Sequence, residues 1–234
     1  MSNKDKVTAI ILAAGCGSRM NSEVTKQKIN ILGRSVLRHS VLAFSACDDI
    51  DEIVVVARAS EEDFAKSQCV GIDKKFVVVT GADTRLGSAK IGFSAISDSS
   101  RYVAIHDAAR CLVTPEMISN VVAYARKCGA ATAATPITDT VKRSDVDGFV
   151  AATVNRDGLW AALTPQSFEV SLYKQALEAL KGADETLVTD DNMLLEGIGV
   201  KVKCVDVGRE NIKITRQEDI AYAEYILLGR GKTN

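Results

Sequence analysis

The chain has 234 residues, of which 47% are hydrophobic and 25% charged, and its formal net charge is −1. That length suits one large α/β domain or two small ones, and the composition is that of a globular protein with a real core. Such a balance gives no electrostatic reason to expect nucleic acid or an anionic membrane as partner, and no apolar run approaches the roughly 18 residues that a membrane span needs.

Met1 to Lys6 carry no apolar signal core, and the first predicted strand, residues 7–12, follows at once. It runs into Ala13-Ala14-Gly15-Cys16-Gly17-Ser18-Arg19-Met20, with Lys26 six residues later. Glycines let a backbone turn tightly and bring its N–H groups close to a ligand, and Arg19 and Lys26 supply charge for a polyphosphate. Met20 stands where a dinucleotide fingerprint has its third glycine, and the Gly-Lys-Ser/Thr of a P-loop is absent. The bland alternative is a tight connection followed by one of several solvated lysines in Lys26-Gln27-Lys28.

Ser35 can cap a helix whose Val36, Leu37, Val41 and Phe44 share one stripe. Strands are predicted at 53–57 and 76–80. The second ends in Gly81-Ala82-Asp83-Thr84-Arg85, opening a helix that carries Ser88. There Asp83 and Ser88 can read a base edge while Gly81 admits the ring, and Asp83 or Thr84 can cap the helix. A strand at 102–105 leads into His106-Asp107-Ala108-Ala109-Arg110. Asp107 can hold a sugar hydroxyl or magnesium, or it can pair with Arg110 and fix the loop. His106 is read as a structural hydrogen-bonder in preference to a base. Thr114 and Pro115 start a helix through Met117, Val121, Val122 and Tyr124, and a strand follows at 130–136.

Residues 138–154 break the rhythm. Two short β-prone runs flank Asp147-Gly148, so the segment is expected to be a hairpin projecting from the sheet. Trp160 is expected to anchor packing under Thr164-Pro165-Gln166, and a helix is predicted over 167–180. Thr189 is expected to cap another helix. The adjacent carboxylates of Asp190 and Asp191 would diverge by about 100° on a helix, which disfavours a shared metal ion. A strand at 200–205, Lys213, a helix at 216–228 and a frayed tail at 229–234 complete the chain. The cysteines, Cys16, Cys47, Cys69, Cys111, Cys128 and Cys204, are scattered, which points to reduced thiols in the cytoplasm. Cys16 is the one expected to be reactive, because it sits in the electropositive turn.

Strands alternating with helices imply an α/β fold: a Rossmann-like doubly wound, mostly parallel sheet with a projecting β-hairpin arm. The expected organisation is one domain over 1–234 with the arm inserted at about 138–156. On such sheets ligands bind at the carboxyl ends of strands, where the Gly15 turn, Gly81 and Asp107 all fall.

The segments Ala13 to Met20, Lys26-Gln27, His106 to Arg110, Asp139-Thr140-Val141-Lys142, Arg156-Asp157-Gly158-Leu159-Trp160, Thr164-Pro165-Gln166, Thr189-Asp190-Asp191 and Asn211-Ile212-Lys213-Ile214-Thr215 occur together and in order. In this the chain resembles the 2-C-methyl-D-erythritol 4-phosphate cytidylyltransferases of the non-mevalonate isoprenoid pathway. The resemblance implies attack of the substrate's 4-phosphate on the α-phosphorus of CTP, with magnesium carried on the triphosphate and pyrophosphate leaving. It implies Arg19 and Lys26 as catalytic cations. Ala13, Ala14, Gly15, Gly17, Gly81, Asp83, Ser88 and Lys213 would contact the nucleotide. Asp107, Arg110, Thr140, Arg156, Thr164 and Thr189 would form the methylerythritol phosphate site. It also implies a homodimer whose arm lends Thr140 and Arg156 to the partner's site. The chain departs from the family pattern where Thr25 replaces a usual proline and Lys28 a usual aromatic residue. Ala82 stands for a common glycine, and Cys111 for a frequent proline. The nearest rival is ribitol 5-phosphate cytidylyltransferase, disfavoured by the 106–110 and 156–160 segments.

Overall fold

Alternation along each strand decides how the layers assemble. In β1 (Lys6–Leu12), Ala9 and Ile11 point to one face of the sheet and Ile10 and Leu12 to the other, and all are buried. A strand that is apolar on both faces must lie between two layers of helices. The computed structural model describes residues 5–15, 25–180 and 185–231, and within these the arrangement is a three-layer α/β sandwich. After two short paired strands, β2 (Asn30–Ile31) and β3 (Arg34–Ser35), come α1 (Val36–Ala46), β4 (Glu52–Ala57), α2 (Glu62–Gln68), β5 (Lys75–Thr80), α3 (Arg85–Ser94) and β6 (Ser100–Asp107). The chain continues through α4 (Pro115–Cys128), β7 (Ala130–Pro136), the arm strands β8 (Val141–Ser144) and β9 (Val150–Val154), and β10 (Trp160–Glu169). Then follow α5 (Val170–Ala179), α6 (Asn192–Gly197), β11 (Lys203–Asp206) and α7 (Glu218–Gly231).

The main sheet has the order β11-β7-β10-β6-β1-β4-β5, and β10 alone runs antiparallel to its neighbours. Helices α1, α2 and α4 cover one face through Leu37, Val41, Phe44, Ala65, Ile118 and Val122. Helices α3, α5 and α6 cover the other through Leu86, Ala89, Tyr173 and Leu195. Helix α3 lies so close that a Cβ on Gly92 would meet Ile10 Cγ2 at 2.4 Å. The chain builds outward from β1 to β4 and β5, then crosses back to β6. The crevice between the carboxyl ends of β1 and β6 is therefore a topological switch point.

The doubly wound sheet is as expected, and so is the hairpin, in which Val141 pairs with Val154 across a turn holding Gly148 at φ 86°. Other expectations need correction. Residues 167–169 belong to β10, and α5 starts only at Val170. Trp160 is 40% exposed and pairs with Pro136 at the base of the arm, so it is no packing anchor. The predicted strand at 200–205 is shifted to Lys203–Asp206, because Val200 N–H donates to Leu195 O and closes α6. Gly229 to Gly231 are helical instead of frayed, and Arg230 donates to Leu112 O and Glu210. Residues 232–234 lie outside the described set.

Candidate active site

The carboxyl ends of β1, β5 and β6 open into a pocket of about 340 Å³. Of the residues singled out from sequence, Ala14, Gly15, Lys26, Asp83, Ser88, Asp107 and Lys213 line it. Ala13 sits just beneath, its N–H donating to Val56 O at 2.8 Å. Gly81 has no room for a side chain: a Cβ there would lie 2.7 Å from Ala14 Cβ and 2.8 Å from Ser88 Oγ. Ser88 Oγ both accepts from Ala82 N–H and donates to Ala82 O, each at 3.1 Å, so it shapes the floor of the pocket. Thr84 caps α3 by accepting from Gly87 N–H, which leaves Asp83 exposed at the pocket's lip. Gly17, Arg19 and the reactive-thiol expectation for Cys16 fall on residues outside the described set.

Asp107 is the electrostatic centre. Its carboxylate accepts from Arg85 Nε at 3.1 Å and from Lys213 Nζ at 2.8 Å. These two take the place of the alternative pairing with Arg110, whose guanidinium donates to Asn211 O at 3.0 Å. Arg85 also donates to Asp191 Oδ2 at 2.7 Å, and Asp191, fully buried, accepts from Tyr173 OH at 2.6 Å. Burial alone would raise the Asp107 pKa, but Arg85 and Lys213 outweigh it and hold the carboxyl well below its ordinary range. Arg85 is likewise desolvated, yet the two carboxylates keep it firmly charged.

Thr164 braces this centre from below. Its hydroxyl accepts from Asp107 N–H at 3.1 Å and pairs with His106 Nδ1 at 2.9 Å, while Asn211 donates to its carbonyl at 2.8 Å. His106 is enclosed against Phe44, and burial lowers its pKa to about 3, so the ring is neutral and serves the fold. The linkage has a definite sign. The unfolded chain takes up the proton below about pH 6.5 while the folded one refuses it, so stability falls as pH drops. By pH 5 this one site should cost about 2 kcal/mol. Urea unfolding of the protein and of His106→Asn at pH 7 and pH 5 should show a smaller pH dependence in the variant. Equal dependence in both would overturn that assignment.

Three predicted residues stand apart from the pocket. Thr140 and Arg156 are exposed on and beside the arm, where Arg156 donates to Thr138 O. Thr189 is exposed and donates to Met193 Sδ at 3.1 Å. It does not cap α6; Asp190 accepts from Met193 N–H at 3.2 Å in its stead. Sequence reasoning missed the central part of Arg85. Its signal was present: a cation as first residue of α3 opposes the helix dipole, so something other than helix stability holds it there. Asp191 and Tyr173 offered no such signal.

The family model for 2-C-methyl-D-erythritol 4-phosphate cytidylyltransferase (IspD) matches residues 7–229. The chain belongs to this family. Among curated family members, the 2-C-methyl-D-erythritol 4-phosphate cytidylyltransferase of Alkaliphilus oremlandii is 38% identical, with 98% of each chain covered. That of Desulforamulus reducens is 40% identical, covering 96% of this chain and 97% of the relative. In structure, the cytidylyltransferase fold described above superposes on the 4-diphosphocytidyl-2C-methyl-D-erythritol synthase of Anaerococcus prevotii with a TM-score of 0.85. Those two share 35% identity, with 97% and 100% of the chains covered.

Proposed function

We infer that the protein transfers the cytidylyl group of CTP to 2-C-methyl-D-erythritol 4-phosphate, giving 4-diphosphocytidyl-2-C-methyl-D-erythritol and pyrophosphate. The observation that carries this is the family match over residues 7–229, joined to a pocket in which Lys26, Lys213 and Asp107 converge. The matches above are to methylerythritol enzymes, so this reading stands over the ribitol 5-phosphate alternative. Pyrophosphate release from CTP with each polyol phosphate tests it. Turnover with the methylerythritol ester should exceed that with the ribitol ester by orders of magnitude, and the reverse ranking would sink the assignment.

In the reaction a 4-phosphate oxygen forms a bond to the α-phosphorus as the bond to the pyrophosphate oxygen breaks. The protein's part is positioning and charge stabilisation. Lys26, together with Arg19, would hold the charge that builds on the α-phosphoryl oxygens. Lys213 would spend one donor on Asp107 and others on phosphate. Asp107 would orient the acceptor, with Thr164 holding the Asp107 backbone in place and Arg110 beside it. Magnesium would arrive on the triphosphate. There the ion would neutralise phosphate charge.

Asp83 at the pocket's lip is suited to accept from the exocyclic amine of cytosine, where uracil presents a carbonyl. CTP should therefore be favoured over UTP by roughly ten- to hundredfold, and Asp83→Ala should narrow the gap. Equal use of the two nucleotides by the unmodified enzyme would refute this placement of the base.

The working unit is proposed to be a homodimer closed by the arms. Thr140 and Arg156 lie away from their own pocket, and Val146, Phe149 and Val150 on the hairpin are exposed, as an interface would leave them in one subunit alone. A cytoplasmic location accords with the free thiols of Cys47, Cys69, Cys111, Cys128 and Cys204. No described helix is long and apolar enough to cross a membrane.

A further inference from the structure

Lys26 sits in a three-residue 3-10 turn, Lys26–Lys28, and a single carboxylate grips that turn from both sides. Glu61 follows the end of β4 and is only 5% exposed. Its Oε1 accepts from Thr25 Oγ1 at 2.7 Å and pairs with Lys28 Nζ at 3.3 Å. The Lys28 ammonium also lies 5.4 Å above the Phe64 ring of α2. Thr25 and Lys28 are themselves tied, Lys28 N–H donating to Thr25 O at 2.9 Å. Three residues upstream of Glu61, Arg58 Nε donates to Ala14 O at 3.0 Å, just before Gly15. The short segment after β4 thus holds both Ala14, after β1, and the Lys26–Lys28 turn.

None of Thr25, Lys28, Arg58 and Glu61 lines the pocket, so whatever they do for the reaction passes through another residue. A buried carboxylate is costly unless its partners are in place, and here each partner flanks Lys26.

We propose that Glu61 is a positioning residue for Lys26: it holds the Lys26–Lys28 turn against β4, with Arg58 fastening Ala14, so that the Lys26 ammonium meets the phosphates in a fixed place. This rests on the reading of Lys26 as a phosphate-stabilising cation. A mismatch of an ångström in such a group is enough to slow the chemical step about a hundredfold.

The test is a double-mutant cycle on the full-length enzyme, following pyrophosphate release. Glu61→Ala should lower kcat by roughly ten- to hundredfold while the KM for methylerythritol phosphate stays within about twofold. Glu61→Gln, whose amide oxygen can still accept from Thr25, should lose less. In the Lys26→Ala background, Glu61→Ala should cost nothing further, because there is no longer an ammonium to place. Should Glu61→Ala fail to fold, Thr25→Val takes its place in the cycle with a smaller but equally non-additive loss. The same fold-loss in both backgrounds would overturn the positioning role while leaving Lys26 catalytic. An unchanged kcat in Lys26→Ala alone would overturn the reading of Lys26 and this proposal with it.

Discussion

Replacing Lys26 by alanine should lower kcat by 10²- to 10³-fold, roughly 3–4 kcal/mol of transition-state stabilisation. The side chain is half-buried and faces the pocket, which sets it apart from exposed Lys28 and from a solvated lysine generally. As the phosphorus becomes five-coordinate, negative charge gathers on its equatorial oxygens. A cation fixed beside them gains more there than in the ground state, and only that difference raises kcat. In a partly water-excluded site the gain is not screened away. Steady-state kinetics with saturating CTP give the answer directly. A raised KM with kcat intact would make Lys26 a binding residue and no more.

The second large effect is on stability. Arg85→Met should destabilise the fold by about 3–5 kcal/mol, which for a chain of this size lowers Tm by roughly 6–20 °C. Methionine keeps much of the volume and removes the guanidinium. Asp191, with no exposure at all, then retains Tyr173 OH, and Asp107 retains Lys213 and the weaker attraction of Arg110. The acid limb should change too. Arg85 helps to depress the Asp107 pKa, so the stability it confers is present above the ordinary carboxylate pKa and is lost only as pH falls below that range. In the variant that loss should be smaller and complete at a higher pH, because the folded carboxyl pKa then lies closer to its unfolded value. Adding Asp191→Asn should recover much of the deficit, since the stranded charge is then gone. Chemical denaturation measures all three proteins, and a deficit under 0.5 kcal/mol would mean that water screens the network as it does a surface ion pair.

What could be read from the chain tracks how local its physics is. Strand β1 and its glycine-rich sequel were legible because an apolar run buried on both faces leaves a strong pattern, and because glycine and cation types are informative together. Asp107, Asp83 and Lys213 could be named as candidates one by one, but their convergence could not, since nothing local records which strand ends lie side by side. Strand β10 was missed for the opposite reason. Most of its buried stretch, Thr164 to Phe168, is polar, with partners such as Val103 O for Ser167 Oγ and Asp190 for Gln166, so the one apolar Phe168 leaves no hydrophobic period. Sequence left open whether Asp107 pairs with Arg110, because proximity in the chain says nothing of which way the Arg110 guanidinium turns. The helix at 216–228 was stopped too soon because Gly229 and Gly231 suggest a break, whereas Arg230 ties the last turn to Leu112 and Glu210.

The ties that make the pocket join residues far apart in the chain: Lys213 reaches Asp107, and Arg85 reaches Asp191, each across 106 positions. Loops of that length are costly to close and close late. During synthesis the first 107 residues can build β1, β4, β5 and β6, but the carboxylate at the end of β6 waits for a lysine made 106 residues later. If Lys213 and the β1 turn both hold nucleotide as proposed, a nascent chain would lack a finished site, and bound nucleotide would join its two halves. Ligand at a hundred times its dissociation constant would add about 2.7 kcal/mol to the stability of the whole fold. On the proposed site, bound CTP would act as a clasp between the two ends of the molecule, and its supply would then bear on how long each copy of the enzyme lasts as well as on how fast it works.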